Sequence, residues 1–466
     1  MFKPRWDLLL ALAAMFAVLL PVSSFADSQV RIVRLSDVAG QVQVDRNVGQ
    51  GFEKALLNLP ITQGSRLQTK ADGRAEVEFE DGGILHLAPN TLVEFPQLSL
   101  KDSGARVSAV RVVEGTAYLN FAGRNGDEFT LDFGGRQVTL TQYAHLRLQM
   151  THDQAALAVW DGVVQVQGPS GETEVGKKQT ATFDLSGASD VVLAKKVQEE
   201  PFDQWDKEQL QYHDRYLSRN SQNPSPYSYG VSDLNYYGSF MNVAGYGNCW
   251  QPYFAGAGWN PFMNGSWVWY PSGYTWVSAY PWGFMPYYYG SWNYIGGGSG
   301  WCWSPGSNWG MWNAVPVVVN APRRFIPVRP PVTPTHPRIA VNTGPTNMIR
   351  ARSNKATLVQ GSAGLGVSRG SFNNLNKLSQ HVDQHGFVNA TVRPAAINTG
   401  IPPRISSPRA GGWPAGQAGQ NSNVGGSASS RGSFGSGQSN PPSTPRMQSS
   451  PPPMSGGMGR SSSPRK

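Results

Sequence analysis

Few residues in this 466-residue chain have types and spacing suited to covalent chemistry. Cysteine occurs twice: Cys249 precedes Trp250, and Cys302 lies between Trp301 and Trp303. The pair could form a disulfide or stay as two buried thiols, and spacing alone leaves both open. His381 and His385 stand four apart with Asp383 between them, a spacing that could hold a metal on a helix. Their Ser- and Asn-rich surroundings favour no metal site. Glu78, Glu80 and Asp81 could hold a cation, but read most simply as a solvated strand face. His86 and His145 fall in strand-like runs and are expected to be packed or exposed bystanders. The chain contains no Gly-x-Ser-x-Gly, His-Glu-x-x-His, phosphate loop or Cys-x-x-Cys. The expectation is a protein without catalytic residues, cofactor or metal.

The remaining chemistry is aromatic. From Leu234 to Pro322 there is no Asp, Glu, Lys, Arg or His, yet eleven of the fifteen tryptophans lie there. "PFMNGSW" begins at Pro261 and "PYYYGSW" at Pro286, each leading to a Gly-x-x-Trp run, so units of about 25 residues repeat. Trp267 and Trp269, like Trp301 and Trp303, would share one side of an extended strand. Two roles are open for Trp267, Trp269, Trp276, Trp292, Trp301 and Trp303. They could form the core of a segment with little else to bury. They could also stack on sugar rings or cations.

These residues need elements to position them. Lys3 and Arg5, the apolar run Leu8 to Leu20 and the small residues around Phe25 read as a signal peptide over 1–26, cut after Ala26. The alternative is an uncleaved anchor. No later run is apolar enough to cross a bilayer. The expected compartment is the periplasm or the cell exterior, where disulfides persist. Residues 29–193 read as strands: in "RAEVEFEDGGILHL", Ala75, Val77 and Phe79 alternate with charged neighbours and Asp81-Gly82 offers a hairpin turn. Residues 199–218 read as a linking helix, and 234–322 as a Trp/Gly-rich β repeat domain that must stack on itself. The fold class is therefore mainly β, with a sandwich- or solenoid-like first domain.

Residues 323–466 read as a basic Pro/Gly/Ser-rich tail, largely disordered, with local order expected over 338–392. The tail holds seventeen Lys or Arg against Asp383 alone, a net +16, while the preceding residues sum to −7. "SRGSF" occurs twice in it, from Ser368 and from Ser430. Such a tail suits anionic envelope surfaces, and the compartment argues against nucleic acid.

The run from Leu59 to Phe95 resembles the FecR domain, the periplasmic sensor module of iron-citrate signalling. Thr62, Gly64, Leu67 and Thr69 match its first block, and Gly73, Ala75 and Val77 its second. Asp81, Gly82 and Leu87 match the hairpin that follows, whereas Ser65 and Gly83 depart from the usual residues. Full FecR regulators carry a cytoplasmic anti-sigma segment and a membrane span; a signal peptide stands in their place here, so sigma-factor regulation is not carried over. A FecR domain followed by "YGSW", "PWG" and "GWxW" elements also resembles a set of secreted bacterial proteins. The resemblance implies a non-enzymatic envelope protein, binding or scaffolding, whose partner is an envelope polymer or protein. The alternatives are glycan or wall-polymer binding through the Trp-rich repeats, and an accessory of an outer-membrane signalling system.

Overall fold

Alternating apolar and polar residues between Val33 and Ala194 build two sheets that share one long strand, Arg106–Phe121. In the first sheet the order is Pro60–Ile61, Val33–Ala39, Arg74–Glu78, Ile84–Leu87, residues 115–121, Ala144–Met150, Gln154–Asp161, Gln179–Asp184 and Val191–Ala194. Every pairing in it is antiparallel. In the second the order is Glu53–Lys54, Val42–Asp45, Arg66–Thr69, Leu92–Leu100, residues 106–114, Glu128–Phe133, Arg136–Leu140, Val164–Gly168 and Gly171–Val175. The pair of Arg106–Phe121 with Glu128–Phe133 is parallel. Neither sheet closes on itself. The shared strand changes sheets at Gly115, whose φ is +87°. A Cβ there would lie 2.3 Å from the Asn90 carbonyl oxygen, so only glycine fits the corner.

This computed structural model describes residues 27, 28 and 30–393, apart from 125, 170, 187–190, 219–224, 297, 310, 333–337 and 342–354. The expected signal peptide and the tail beyond residue 393 lie outside the described residues.

Leu35, Val77, Leu85, Leu119 and Leu146 of the first sheet share one core with Val44, Leu67, Val93, Val110 and Leu131 of the second. Burying each such side chain contributes about 1.5–3 kcal/mol relative to leaving it exposed.

The other face of Arg74–Glu78 was expected to be wet. It is not: Glu76, Glu78, Glu80 and Asp81 are all buried. Helix α1 (Asp203–Leu217), within the segment read as a linking helix, packs over this face. Its buried residues Trp205, Asp206, Tyr212, His213 and Tyr216 form a single stripe at helical spacing. Helix α2 (Val231–Tyr237) follows and packs on α1.

The aromatic segment then forms two small sheets. One is five-stranded, in the order Gly238–Val243, Gly247–Pro252, Gly300–Ser304, Ser291–Ile295 and Val318–Val319. The other places Gly265–Tyr270 between Gly273–Ser278 and Arg338–Val341. The short helix α3 (Met285–Tyr288) lies between the two Trp-bearing hairpins in sequence. The hairpins pair their tryptophans alike, Trp267 opposite Trp276 and Trp292 opposite Trp303. They nevertheless belong to different sheets instead of stacking as successive units. The Gly-Ser steps also differ: Gly265 and Ser266 lie within a strand, whereas Gly290 is left-handed at φ +65°.

Part of the expected tail is folded. Lys355–Val359 pairs with Phe387–Thr391, and α4 (Leu375–His385) lies between them in sequence. Residues 355–393 form a strap that packs against the aromatic core through Ala356, Leu358, Phe372, Leu375 and Val382. These elements fall within the 338–392 stretch where local order was expected, while residues 342–354 lie outside the described residues.

Candidate functional site

The aromatic core centres on Trp282. Trp250 lies 4.8 Å from it between ring centroids, and Tyr280 stacks on it at 5.0 Å. Trp292 lies 6.0 Å away, and the Trp282 indole N–H donates to the Ala363 carbonyl of the strap at 2.7 Å. Trp267, Trp276, Trp292, Trp301 and Trp303 are buried, and Trp269 is half-buried. Five of the six candidate tryptophans therefore offer no open ring face for stacking. Cys249 and Cys302 are joined in a disulfide with Cα atoms 5.7 Å apart, tying Gly247–Pro252 to Gly300–Ser304.

The polar counterpart of this core lies beneath it, on the covered face of the first sheet. Arg369 of the strap enters there. Its Nη1 donates to Glu76 Oε1 at 2.5 Å and its Nη2 to Glu78 Oε1 at 3.2 Å. Its Nε and Nη2 reach the two oxygens of Asp233 on α2 at 2.9 and 2.7 Å. Arg34 approaches two of these carboxylates, with Nη2 2.7 Å from Asp233 Oδ2 and Nη1 3.3 Å from Glu78 Oε2. Arg34 also donates to Asn58 and to the Pro281 carbonyl, tying the aromatic module to the sheet. Tyr212 donates to Asp233, and the Gly230 N–H to Glu78.

Histidines extend the network. His86 lies between two acids, its Nδ1 2.7 Å from Asp206 Oδ1 and its Nε2 2.9 Å from Glu76 Oε2. His145 Nε2 is 2.9 Å from the second Asp206 oxygen. His213 Nε2 is 3.1 Å from Glu76 Oε1, and its Nδ1 is 2.9 Å from the Ser232 hydroxyl. The energetics follow from burial and pairing. Burial opposes the charge on His86, but hydrogen bonds to Asp206 and Glu76 outweigh it and push its pKa up to about 9. Burial likewise opposes ionisation of Glu76; Arg369, His213 and His86 overcome it and hold the carboxyl well below its usual range. Asp206 and Asp233 are also lowered against burial, Asp206 by His145 and His86, Asp233 chiefly by Arg369 and Arg34.

Glu76, Glu78 and His213 alone would form a plausible metal-ligating group. The Arg369 guanidinium occupies the cation position beside both carboxylates, and nothing in the donor set calls for a metal. His381 and His385 stack on each other at 4.2 Å on the exposed face of α4, while Asp383 accepts from Gln360. Glu80 is paired with Arg31 at 2.7 Å, and Asp81 caps the Gly83 N–H at 2.8 Å.

Residues 65–165 match the FecR protein family. A second match covers residues 229–323 and is to DUF6600, a family of unknown function. The charge network is thus built from the matched FecR residues Glu76, Glu78, His86 and His145, from Arg34 on the strand beside them, from the connecting α1, from the start of the DUF6600 match and from the strap. No curated protein matches the chain. Two crystal structures of a candidate anti-sigma factor from Parabacteroides distasonis ATCC 8503 show similarity, at 17% and 16% identity. Each has a TM-score of 0.25 and covers 28% of this chain. This chain spans 59% of the length of that protein.

Sequence reasoning dismissed His86 and His145 and missed Arg34, Glu76, Asp206, His213, Asp233 and Arg369. One signal was available. Folding the hairpin at Asp81-Gly82 sets Glu76 directly opposite His86, as the register shows. Asp206 and His213 lie seven apart beside Trp205 and Tyr212, on the buried stripe of α1. Nothing in the sequence links Arg369 to the sheet.

Proposed function

We propose that this chain is a non-enzymatic exported envelope protein. Its FecR module, sealed by the aromatic module and the strap, acts as a rigid scaffold that presents its remaining surface to an envelope protein. The observation that carries this reading is the burial of the acid- and histidine-bearing face. The buried acids and histidines are saturated by one another; His145 and Asp206 border a surface cavity of about 490 Å³, but they are hydrogen-bonded to each other at 2.9 Å. The Cys249–Cys302 bridge supports residence in an oxidising compartment, periplasmic or extracellular. The FecR match supports a signalling-related role, as an accessory to an envelope sensor.

A glycan-binding reading has one observation in its favour. Trp269 stays half-buried beside Tyr274, Pro330 and Pro331, around a cavity of about 310 Å³. Affinity capture from solubilised native envelope with the mature chain, run beside sedimentation with purified wall polymer, separates the two. The scaffold reading expects a retained protein and no co-sedimentation with polymer. Polymer binding that is lost in Trp269→Ala would replace it with the glycan reading.

A further inference from the structure

The strap carries the first of the two "SRGSF" segments, and its side chains and backbone are read closely. Arg369 fills the slot between Glu76, Glu78 and Asp233 and lies over the Tyr212 ring at 5.4 Å. Gly370 adopts φ +65°, a conformation that favours glycine. The Ser371 hydroxyl donates to the Ser368 carbonyl at 2.7 Å and closes the turn. Phe372 is buried, and its backbone N–H and carbonyl both meet the Tyr236 hydroxyl, at 3.0 and 3.2 Å. Arginine, glycine, the second serine and phenylalanine thus each meet a feature that selects them, and the same five residues recur in order at 430–434.

We propose that this slot is a recognition site for Ser-Arg-Gly-Ser-Phe, and that its second ligand is residues 430–434 of another molecule of this chain. The chemistry is a guanidinium fork on paired carboxylates, followed by a glycine turn and an aromatic anchor. The strap copy has the advantage of tethering and of its neighbouring contacts from Ala363, Ser379 and Val382, so it excludes the second copy while it is seated. Release of the strap opens the slot. Because each molecule carries both a donor segment and a slot, exchange joins molecules in reciprocal closed pairs or in head-to-tail chains.

The test uses the mature full-length chain carrying Arg369→Ala and Arg431→Ala, which frees the guanidinium position of the slot, leaves only the remaining strap contacts for a peptide to displace, and removes the internal competitor. A fluorescent peptide of residues 428–436 should bind this protein and not the wild type, whose slot is filled. The same peptide with Arg431→Ala should bind at least about tenfold more weakly, because a charged hydrogen-bonded fork is lost. In sedimentation velocity, Arg369→Ala alone should self-associate and the double variant should not. Should Arg369→Ala fail to fold, Arg369→Gln with Arg431→Ala replaces it, since glutamine keeps hydrogen bonding to the carboxylates and leaves the cation position free. Absence of peptide binding to both receivers overturns the proposal. Equal binding of a scrambled peptide of the same composition does so as well.

Discussion

Arg369 grips Asp233 with two nitrogens, Nε 2.9 Å from Oδ1 and Nη2 2.7 Å from Oδ2, across 136 residues of chain. This contact joins the strap to α2 at the point where both meet the FecR sheet. It makes the strap part of the fold rather than an appendage.

Replacing Arg369 with Ala leaves buried Glu78 and Asp233 with Arg34 alone and takes the guanidinium partner from Glu76. Breaking one side of a buried ion pair costs about 3–5 kcal/mol. The denaturant midpoint of the mature chain should fall accordingly, with Arg369→Lys intermediate. A loss below about 1 kcal/mol would show that the slot rearranges or admits water at little cost.

Stability should depend on pH on both sides of a plateau. His86 is raised to about 9 in the folded chain and titrates near 6.5 when unfolded, so its contribution is full below pH 6.5. That contribution, about 3 kcal/mol, fades as pH rises from 6.5 through 9. Glu76, Asp206 and Asp233 are lowered, so their contribution is present above the usual carboxylate range and is lost as pH falls through and below it. Asp37 and Asp81, pushed up by burial, act in the opposite sense. Chemical denaturation from pH 4 to 10 should show the plateau near pH 5–6.5, and His86→Gln should flatten its alkaline side. An unchanged alkaline slope in that variant would assign it elsewhere.

The Cys249–Cys302 bridge closes a loop with a sequence separation of 53, which the chain-entropy model values at about 4 kcal/mol. Reduction under native conditions should lower the thermal midpoint of the mature chain. Cys249→Ser with Cys302→Ser should reproduce that fall without further sensitivity to reductant. Equal midpoints for oxidised and reduced protein would contradict a stabilising bridge.

Trp292→Ala should cost about 3–5 kcal/mol, as expected for a buried tryptophan whose cavity cannot collapse. Trp267→Ala should cost a similar amount and also disturb the FecR module. Its hairpin neighbours Val268, Tyr270 and Val277 belong to the FecR core, and the Tyr270 hydroxyl donates to the Pro60 carbonyl at 2.5 Å. Denaturation of each variant would test this, and a Trp267→Ala protein losing only its aromatic module would argue against the shared core.

The strands of the FecR module were legible because alternation places Ala75 and Val77 on one face whatever surrounds them. The fate of Glu76 and Glu78 was not legible. Period two shows that a second face exists, not what covers it, and the cover comes from α1, α2 and the strap. The concentration of tryptophan left a core and a stacking surface both open and did not show which rings would pair. The uncharged segment suggested stacked units, yet its hairpins sit in separate sheets because one docks on the FecR core. Arg369 lies in the first "SRGSF" segment, a repeat visible in the sequence, but nothing in that repeat says which acids its arginine meets.

Calorimetry of the mature chain tests the central claim most directly, that the FecR module, aromatic module and strap form one unit sealed by buried charge. The account predicts a single cooperative transition, shifted as a whole by Glu76→Gln in the FecR sheet and by Arg369→Ala in the strap. Two separable transitions, with each substitution moving only the one that contains it, would contradict it.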